Sequence, residues 1–154
     1  MAARYDTDFY GWTQDQAAKL RKLLVERANL DLDFENIAEE IDSMGRSDRR
    51  ELRSQLARVI EHLLKLEEST LWEPRRQWQN SVDSGRESLK ELFDRSPSLF
   101  AAREEELAEA YAKAARRLSR NHVELGMDQP PRTCPYDLDS QILDADWFPH
   151  PRDG

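Results

Sequence analysis

The feature that most constrains the fold is a set of apolar residues that recur every three or four positions between residues 48 and 72. This spacing places the side chains on one face of an α-helix, whereas a half-buried strand would alternate with period two. At about 1.5 Å per residue, such a helix extends roughly 40 Å and predicts a spine for the fold. The stripe consists of Leu52, Leu56, Val59, Ile60, Leu63, Leu66 and Leu71.

A shorter apolar stripe precedes this helix, at Phe34, Ile37, Ile41 and Met44. It predicts a helix over about residues 34–44. Gly45 supplies the residue type that most often ends a helix in the left-handed conformation. Ser47 is a suitable N-cap for the long helix that follows. The sequence therefore predicts two helices joined by a tight turn at Gly45.

The same periodicity predicts an N-terminal helix over about residues 13–29. Thr13 and Gln16 have the spacing of a capping box, in which each side chain bonds a backbone N–H of the first turn. The expected buried face consists of Ala17, Leu20, Leu24 and Ala28. Leu30 and Leu32 alternate with aspartates, and we interpret this short segment as a turn because no second strand is available to pair with it.

Two more helices are expected in the second half of the chain. The first covers about residues 75–94, and Gly85 within its stripe would let a neighbouring helix approach closely. Ser96 and Pro97 begin the next helix as cap and first-turn proline. Gly126 is expected to close it.

Three segments lie outside these helices. Residues 5–12 form an aromatic arm that we expect to pack on the body of the protein, with partner recognition as the alternative. Residues 127–137 form a proline-rich connector, followed by a short helix near 138–144 that would cap the bundle, or else a linear motif for a partner. Residues 149–154 form a polar tail. The expected architecture is a single all-α domain over residues 1–154, a helical bundle of five main helices plus a short C-terminal helix.

Composition excludes several classes of function. The net charge of −8 repels nucleic acid unless a local basic patch overrides the mean field. Cys134 is the single cysteine, so an internal disulfide and a cysteine-based zinc site are both excluded. The N-terminus lacks the pattern of a signal peptide, and the apolar runs are too short to span a membrane. We therefore expect a cytoplasmic protein.

No catalytic or metal-binding motif is present. The di-iron pattern of helical bundles requires Glu three residues before His, and none of the three histidines has it. We therefore expect no metal and no cofactor. Glu40 and His62 lie at the borders of two neighbouring stripes and would meet at the seam between the second and third predicted helices. Such a pair provides either a general base or a polar contact that orients two helices, and the second interpretation is favoured.

Charge is unevenly distributed around Gly45. Residues 31–42 contain six acidic residues and no basic one. The next segment is rich in arginine, at Arg46, Arg49, Arg50, Arg53 and Arg58. We expect the two segments to pair their charges. Nucleic-acid binding through Arg46, Arg49, Arg50 and Arg53 is the weaker interpretation, because no basic stripe with interleaved aromatic residues accompanies them.

A second cluster combines arginine and tryptophan, at Arg75, Arg76 and Trp78. Arginine stacks on aromatic rings within folds, and the same residue types dominate binding hot spots. We favour an intramolecular role, with partner binding as the alternative. Trp147 near the C-terminus is a further candidate for partner binding.

Six segments of the chain together form a specific pattern: Tyr5–Trp12, Asn36–Ile41, Gly45–Leu52, His62–Lys65, Ser96–Leu99 and Cys134–Tyr136. In these segments the chain resembles a bacterial family known as domain of unknown function 29, and the likeness runs from Tyr5 to Pro149. Leu66 departs from the family, which favours Trp there. The resemblance implies an all-helical, cytoplasmic bacterial protein and supplies no catalytic residues, because the family has no established activity.

The leading functional hypothesis is a non-enzymatic module that binds another protein, as a small regulator or an antitoxin-like neutraliser. It rests on the missing catalytic motifs, the acidic charge and the aromatic segments at both ends. The alternative is a small enzyme or metal-dependent hydrolase that uses Glu40 and His62. The long stripe of the central helix suits a homodimer as well as a monomer.

Overall fold

The computed structural model describes residues 4–26 and 30–152, and its regular elements are all helical. The prediction of an all-α domain is confirmed. None of the helices within the described ranges is long and apolar enough to cross a membrane. The α-helices are α1 (Phe9–Val25), α2 (Phe34–Glu68), α3 (Arg75–Arg95), α4 (Pro97–Ala101) and α5 (Arg103–Asn121), and one turn of π-helix covers Leu138–Ile142.

α2 is continuous through Gly45, so the predicted break into two helices is wrong. Gly45 is buried within the helix because α1 lies against it. A Cβ atom added at Gly45 would lie 2.5 Å from Oγ1 of Thr13 and 2.8 Å from Nε2 of Gln14. The glycine therefore permits close approach of α1 rather than a left-handed turn, and Ser47 lies in the interior of the helix rather than at a cap.

α1 begins earlier than predicted, at Phe9 rather than after Thr13. Asp8 caps it, and Oδ1 of Asp8 accepts a hydrogen bond from the backbone N–H of Gly11 at 3.3 Å. Thr13 is fully buried and donates to the carbonyl oxygen of Tyr10 at 2.6 Å. The predicted end of this helix near residue 29, with Ala28 on its buried face, lies outside the described residues.

The aromatic arm therefore forms part of the first turns of α1. The Tyr5 ring contacts Phe9 edge-on at a centroid distance of 5.4 Å and Trp12 at 4.9 Å. The guanidinium of Arg95 lies 5.7 Å from the Phe9 ring. The two ring contacts lie within the arm itself, whereas the Arg95 contact joins the arm to the end of α3.

Packing divides the chain into two compact units. Unit 1 comprises the chain up to Leu52 together with Glu91–Arg103, and unit 2 comprises Arg53–Lys90 together with the chain from Glu104 onward. In unit 1, Asp8 accepts hydrogen bonds from the backbone N–H and the hydroxyl of Ser98, at 3.2 and 2.8 Å. The start of α1 is thereby joined to α4.

The core of unit 2 is built on the second half of α2. Gly85 of α3 lies against it, and a Cβ atom there would come within 2.7 Å of Cγ2 of Val59. The predicted close approach at Gly85 is thus present. Buried apolar side chains from α2, α3, α5 and the π-helical turn complete the core, including Leu56, Ile60, Leu63, Val82, Leu89, Leu118 and Ile142.

The single helix predicted from Pro97 to the vicinity of Gly126 is divided in the structure. α4 ends at Ala101, α5 begins at Arg103, and α5 ends at Asn121. Gly126 has a φ of +64° and belongs to the turn after α5. The backbone N–H of Thr70 donates to its carbonyl oxygen at 3.3 Å, which brings this turn against the end of α2.

The C-terminal segment is held on unit 2 by a buried arginine. Arg86 donates from Nε to the carbonyl oxygen of Ile142 at 2.8 Å and from a terminal nitrogen to that of Gln141 at 2.7 Å. Its guanidinium also lies 5.1 Å from the Phe148 ring. The short C-terminal helix predicted near residues 138–144 is a π-helical turn over Leu138–Ile142.

Candidate functional site

Glu40 and His62 do not form the predicted pair, because the two separate helices that would bring them together are one helix. Both residues belong to the continuous helix α2, about six helical turns apart. Glu40 is exposed and His62 is half-buried. The correction follows directly from the missing break at Gly45, because the predicted seam required two separate helices.

His62 is instead part of a polar cluster along its own helix. Its Nδ1 lies 2.7 Å from the carbonyl oxygen of Arg58, which assigns the proton to Nδ1 as the donor. Oε2 of the buried Glu61 lies 3.6 Å from His62 Nδ1 and 3.8 Å from Lys65 Nζ. Burial lowers the pKa of His62, and the charge of Lys65 acts in the same direction, whereas the bond to Arg58 and the charge of Glu61 oppose the shift. These contacts of His62 thus all lie within one stretch of α2.

Two of the arginines proposed for nucleic acid are joined to carboxylates. Arg46 contacts Glu39 at 2.5 Å and Asp42 at 3.7 Å, as the expected charge pairing requires. Arg53 contacts Glu106 at 2.8 Å and Glu109 at 3.0 Å, both on α5 rather than in the acidic segment of α2. The neighbouring carboxylates reduce the attraction of these guanidinium groups for phosphate.

The other two arginines of this group are Arg49, which contacts a tyrosine, and Arg50, which is exposed. The guanidinium of Arg49 lies 5.9 Å from the centre of the Tyr10 ring, and its Nη1 donates to the Tyr10 hydroxyl at 3.4 Å. Arg50 is exposed on the same helix.

The cluster around Arg75 has internal partners. Its guanidinium is buried and donates to the carbonyl oxygens of Leu66 and Ser69, at 2.5 and 2.7 Å, which satisfies acceptors at the end of α2. The same guanidinium lies 4.4 Å from the centre of the Trp72 ring, which is 72% exposed.

The remaining binding candidates lie at different depths. Arg76 is exposed, and Trp78 is buried with Lys65 Nζ lying 6.0 Å from its ring. Trp147 is half-buried and contacts the Tyr136 ring at 5.5 Å. Trp78 is therefore enclosed in this structure, while Arg76 and the visible edge of Trp147 remain at the surface.

A surface that the sequence did not single out lies where α1 ends and α2 begins. The two helices are antiparallel here, because Gln14 and Arg21 both reach Asp42 and Thr13 lies against Gly45. The end of α1 and the start of α2 consequently lie side by side. Large apolar side chains are exposed there, and we name them the hairpin-end surface: Leu23, Leu24, Val25, Leu30, Leu32 and Ile37.

The exposure on this surface is substantial. Val25 is 80% exposed, Leu30 is 59% exposed and Leu32 is 58% exposed. Asp31 and Glu35, which are also exposed, lie between and beside them in the chain. Single exposed apolar residues are ordinary, but a concentrated set with charged neighbours is typical of interaction surfaces. The alternation of leucine with aspartate at residues 30–33 is the sequence signal for this surface, although by itself it predicts only a turn.

Unit 2 contains an open cleft of about 650 Å³. It lies where the end of α2, the turn after α5 and the C-terminal segment come together. Across residues 4–26 and 30–152, no three His, Cys, Asp or Glu side chains are grouped closely enough to hold a metal ion. The lining residues are Glu68, Thr70, His122, Val123, Gly126, Met127, Asp128, Gln129 and Arg152.

Comparison with known proteins identifies a family but no activity. The profile of the family described as "Domain of unknown function DUF29" matches residues 4–148. A crystal structure of an α-helical protein of unknown function from Rhodospirillum rubrum is similar, with 28% sequence identity and a TM-score of 0.72. That similarity covers 95% of this chain and 92% of the other. No curated protein matches the chain.

Proposed function

Because the chain belongs to the DUF29 family, whose description assigns no activity, we propose from its own surface that it is a non-enzymatic module that binds another protein. The hairpin-end surface is the docking site. The observation that carries the proposal is the exposure of large apolar side chains at the end of α1, before the start of α2 and in the first turn of α2. Burial of such side chains at an interface contributes about 25 cal/mol per Å² before the costs of association.

The charges around this surface define the complementary partner. Asp31, Glu35 and Glu40 are exposed, whereas Glu39 and Asp42 are already joined to Arg21 and Arg46. A partner with an apolar groove and a basic rim would bury the leucines and meet the exposed carboxylates. Complementary charge of this kind chiefly accelerates association and selects the partner.

An antitoxin-like or regulatory role is compatible with such a surface. An acidic, apolar hairpin would block a basic functional surface on its partner by occupying it. We place this function in the bacterial cytoplasm, where the half-buried thiol of Cys134 would remain reduced. The alternative of an enzyme using Glu40 and His62 is not retained, because both residues lie on one helix, far apart along its axis.

The test is a quantitative co-purification from the native host. Tagged wild-type protein is compared with Val25→Ser and Leu32→Ser, both at the hairpin-end surface, and with Leu71→Ser in unit 2. Leu71 is a matched control because it receives the same substitution as Leu32, is 39% exposed against 58% for Leu32, and lies outside both the hairpin-end surface and the cleft lining. We expect a near-stoichiometric protein with wild type and Leu71→Ser, and its loss with both hairpin variants.

Two outcomes would overturn the proposal. A partner that is retained equally by Val25→Ser and Leu32→Ser would show that binding does not use this surface. A concentration-dependent dimer of the purified wild-type protein that Val25→Ser abolishes, seen by analytical ultracentrifugation, would assign the surface to a second copy of this chain.

A further inference from the structure

The cleft in unit 2 contains a guanidinium group supplied by the protein itself. Nη1 of Arg152 lies 3.0 Å from Oε2 of Glu68. The backbone N–H of Arg152 donates to the carbonyl oxygen of Glu67 at 2.9 Å, which fixes the C-terminal segment beside the end of α2. The two side chains are unequally exposed, 69% for Arg152 and 14% for Glu68. The carboxylate of Glu68 thus forms part of the cleft wall, whereas the side chain of Arg152 is mostly in solvent.

The surroundings of Glu68 favour a positive charge. Burial raises the pKa of Glu68, the charge of Arg152 opposes the shift, and the charges of Glu67 and Asp128 reinforce it. Oε2 of Glu67 accepts a hydrogen bond from the Tyr136 hydroxyl at 2.8 Å, which holds this second acid in place. A carboxylate that is poorly hydrated and close to other acids gains from a cation at close range.

The remaining side chains of the cleft wall are held by hydrogen bonds within the protein. His122 Nδ1 lies 3.0 Å from the carbonyl oxygen of Met127, and His122 Nε2 lies 2.9 Å from Nε2 of Gln129. Both ring nitrogens are therefore engaged, so the imidazole forms a fixed wall. Met127 is buried, and the exposed side chain of Val123 adds an apolar rim along which the stem of a ligand could lie.

We infer that this cleft is a binding site for a guanidinium group, either an arginine side chain of a peptide or a small alkylguanidine, and that Arg152 is a tethered occupant which a ligand displaces. The cavity, the enclosed carboxylate and the guanidinium already seated on it carry the inference together. Guanidinium and carboxylate have matching planar geometry for charge-assisted hydrogen bonds. The exposed Arg152 side chain is the part that would leave, while the wall formed by Glu68, His122 and Gln129 stays.

Displacement predicts a specific competition. A tethered group competes at an effective concentration that is in the millimolar range for short flexible linkers. If the tethered guanidinium and the free guanidine both bind with dissociation constants in that same range, removal of the Arg152 side chain should strengthen the binding of the free guanidine by about twofold or more. The proposal is independent of the hairpin-end surface, which belongs to unit 1.

The experiment titrates butylguanidine into the full-length protein and follows binding by NMR chemical shifts. The variants are Arg152→Ala, Arg132→Ala and the double variant Arg152→Ala with Glu68→Gln. Arg132 is an exposed arginine of unit 2 outside the cleft lining, so its removal controls for net charge. We expect the tightest binding by Arg152→Ala, weaker and equal binding by wild type and Arg132→Ala, and loss of binding in the double variant.

Butylammonium separates guanidinium recognition from attraction of any cation. Butylammonium binding to Arg152→Ala as tightly as butylguanidine would contradict the guanidinium assignment. Equal affinities of wild type and Arg152→Ala, or an unchanged affinity after Glu68→Gln, would overturn the proposal. Far-UV circular dichroism confirms that each variant is folded, and Glu68→Asp, which keeps the charge, is expected to retain part of the binding.

Discussion

Gly45 of α2 and Thr13 of α1 are in such close contact that the absence of a side chain at residue 45 is a packing requirement. A Cβ atom on Gly45 would lie 2.5 Å from Thr13 Oγ1. Thr13 is fully buried, and its hydroxyl is committed to the carbonyl oxygen of Tyr10. The hydroxyl therefore has little freedom to move away, and the position of α1 on α2 depends on this glycine.

Gly45→Ala should destabilise the protein although alanine is the better helix former. The helix gains about 0.5–1 kcal/mol from the substitution, but overpacking of a buried contact costs about 1–3 kcal/mol. We expect a net loss of free energy of unfolding, measured by urea denaturation. In the double variant with Thr13→Ala, the penalty for Gly45→Ala should shrink, since the clashing hydroxyl is gone. A Gly45→Ala variant more stable than wild type would show that no close contact exists.

Ser47→Ala distinguishes a continuous α2 from two helices. If Ser47 capped a separate helix, its loss would cost about 1 kcal/mol. Ser47 instead lies exposed in the interior of α2, where alanine has the higher helix propensity. We expect unchanged or slightly increased stability in urea denaturation. A loss of about 1 kcal/mol of stability would instead indicate that Ser47 caps a separate helix after a turn at Gly45.

Arg86→Met should release the C-terminal segment. The buried guanidinium donates hydrogen bonds to two carbonyl oxygens of the π-helical turn. A hydrogen bond that involves a charged group contributes about 1.5–3 kcal/mol to stability. Hydrogen exchange of residues 138–148 should accelerate while that of α5 changes less. Lys90→Met on the exposed side of α3 is the control. Arg86→Lys should not restore protection, because one ammonium lacks the fork of donors that reaches both carbonyls. Equal protection in Arg86→Met and wild type would contradict this role.

Alkaline pH should unfold unit 2 through its buried tyrosines. Burial raises the pKa of Tyr111 to about 12, and burial together with the hydrogen bond to Glu67 raises the pKa of Tyr136 further. The folded state therefore keeps protons that the unfolded chain loses near pH 10. The corresponding stability is fully present below about pH 10 and is lost as the pH rises toward 12.

The measurement pairs absorbance at 295 nm, which reports tyrosine ionisation, with far-UV circular dichroism. We expect the last part of the absorbance change to coincide with loss of helix. Tyr111→Phe removes one of the protected protons and should move the alkaline transition to higher pH, although it also removes the bond to the carbonyl oxygen of Pro131. Complete ionisation of the tyrosines while the helices remain intact would contradict the prediction.

Helical periodicity located most of the fold. The predicted helix over residues 75–94 corresponds closely to α3 at Arg75–Arg95, because Pro74 and Ser96–Pro97 mark its limits in the sequence itself. The close approach that Gly85 predicts is present, since a glycine within an apolar stripe has few purposes other than close packing. Local sequence signals were sufficient to place a helix or a close contact wherever the residues allowed only one physically reasonable interpretation.

The candidate sites were less predictable. The predicted pairing of Glu40 with His62 requires a helix break that does not exist. Leu24, at the hairpin end, has the same helical spacing as the residues that are buried. Leu24 was expected in the core and is 46% exposed. Arg152 and Glu68 come from distant parts of the chain, and no motif connects them. A stripe shows that a helix has an apolar face but does not show whether another element covers it.

The amino-acid sequence by itself determined that this protein is helical, where most helices lie and that it belongs to an all-α family. These properties depend on spacing within single segments, where side-chain periodicity and proline act locally. Only the tertiary structure decided that Gly45 is a contact point rather than a stop, that Thr13 is buried rather than a cap, and which leucines remain at the surface. Each of these outcomes depends on which segment lies opposite, because the same residue type satisfies a turn, a cap or a tight interhelical contact.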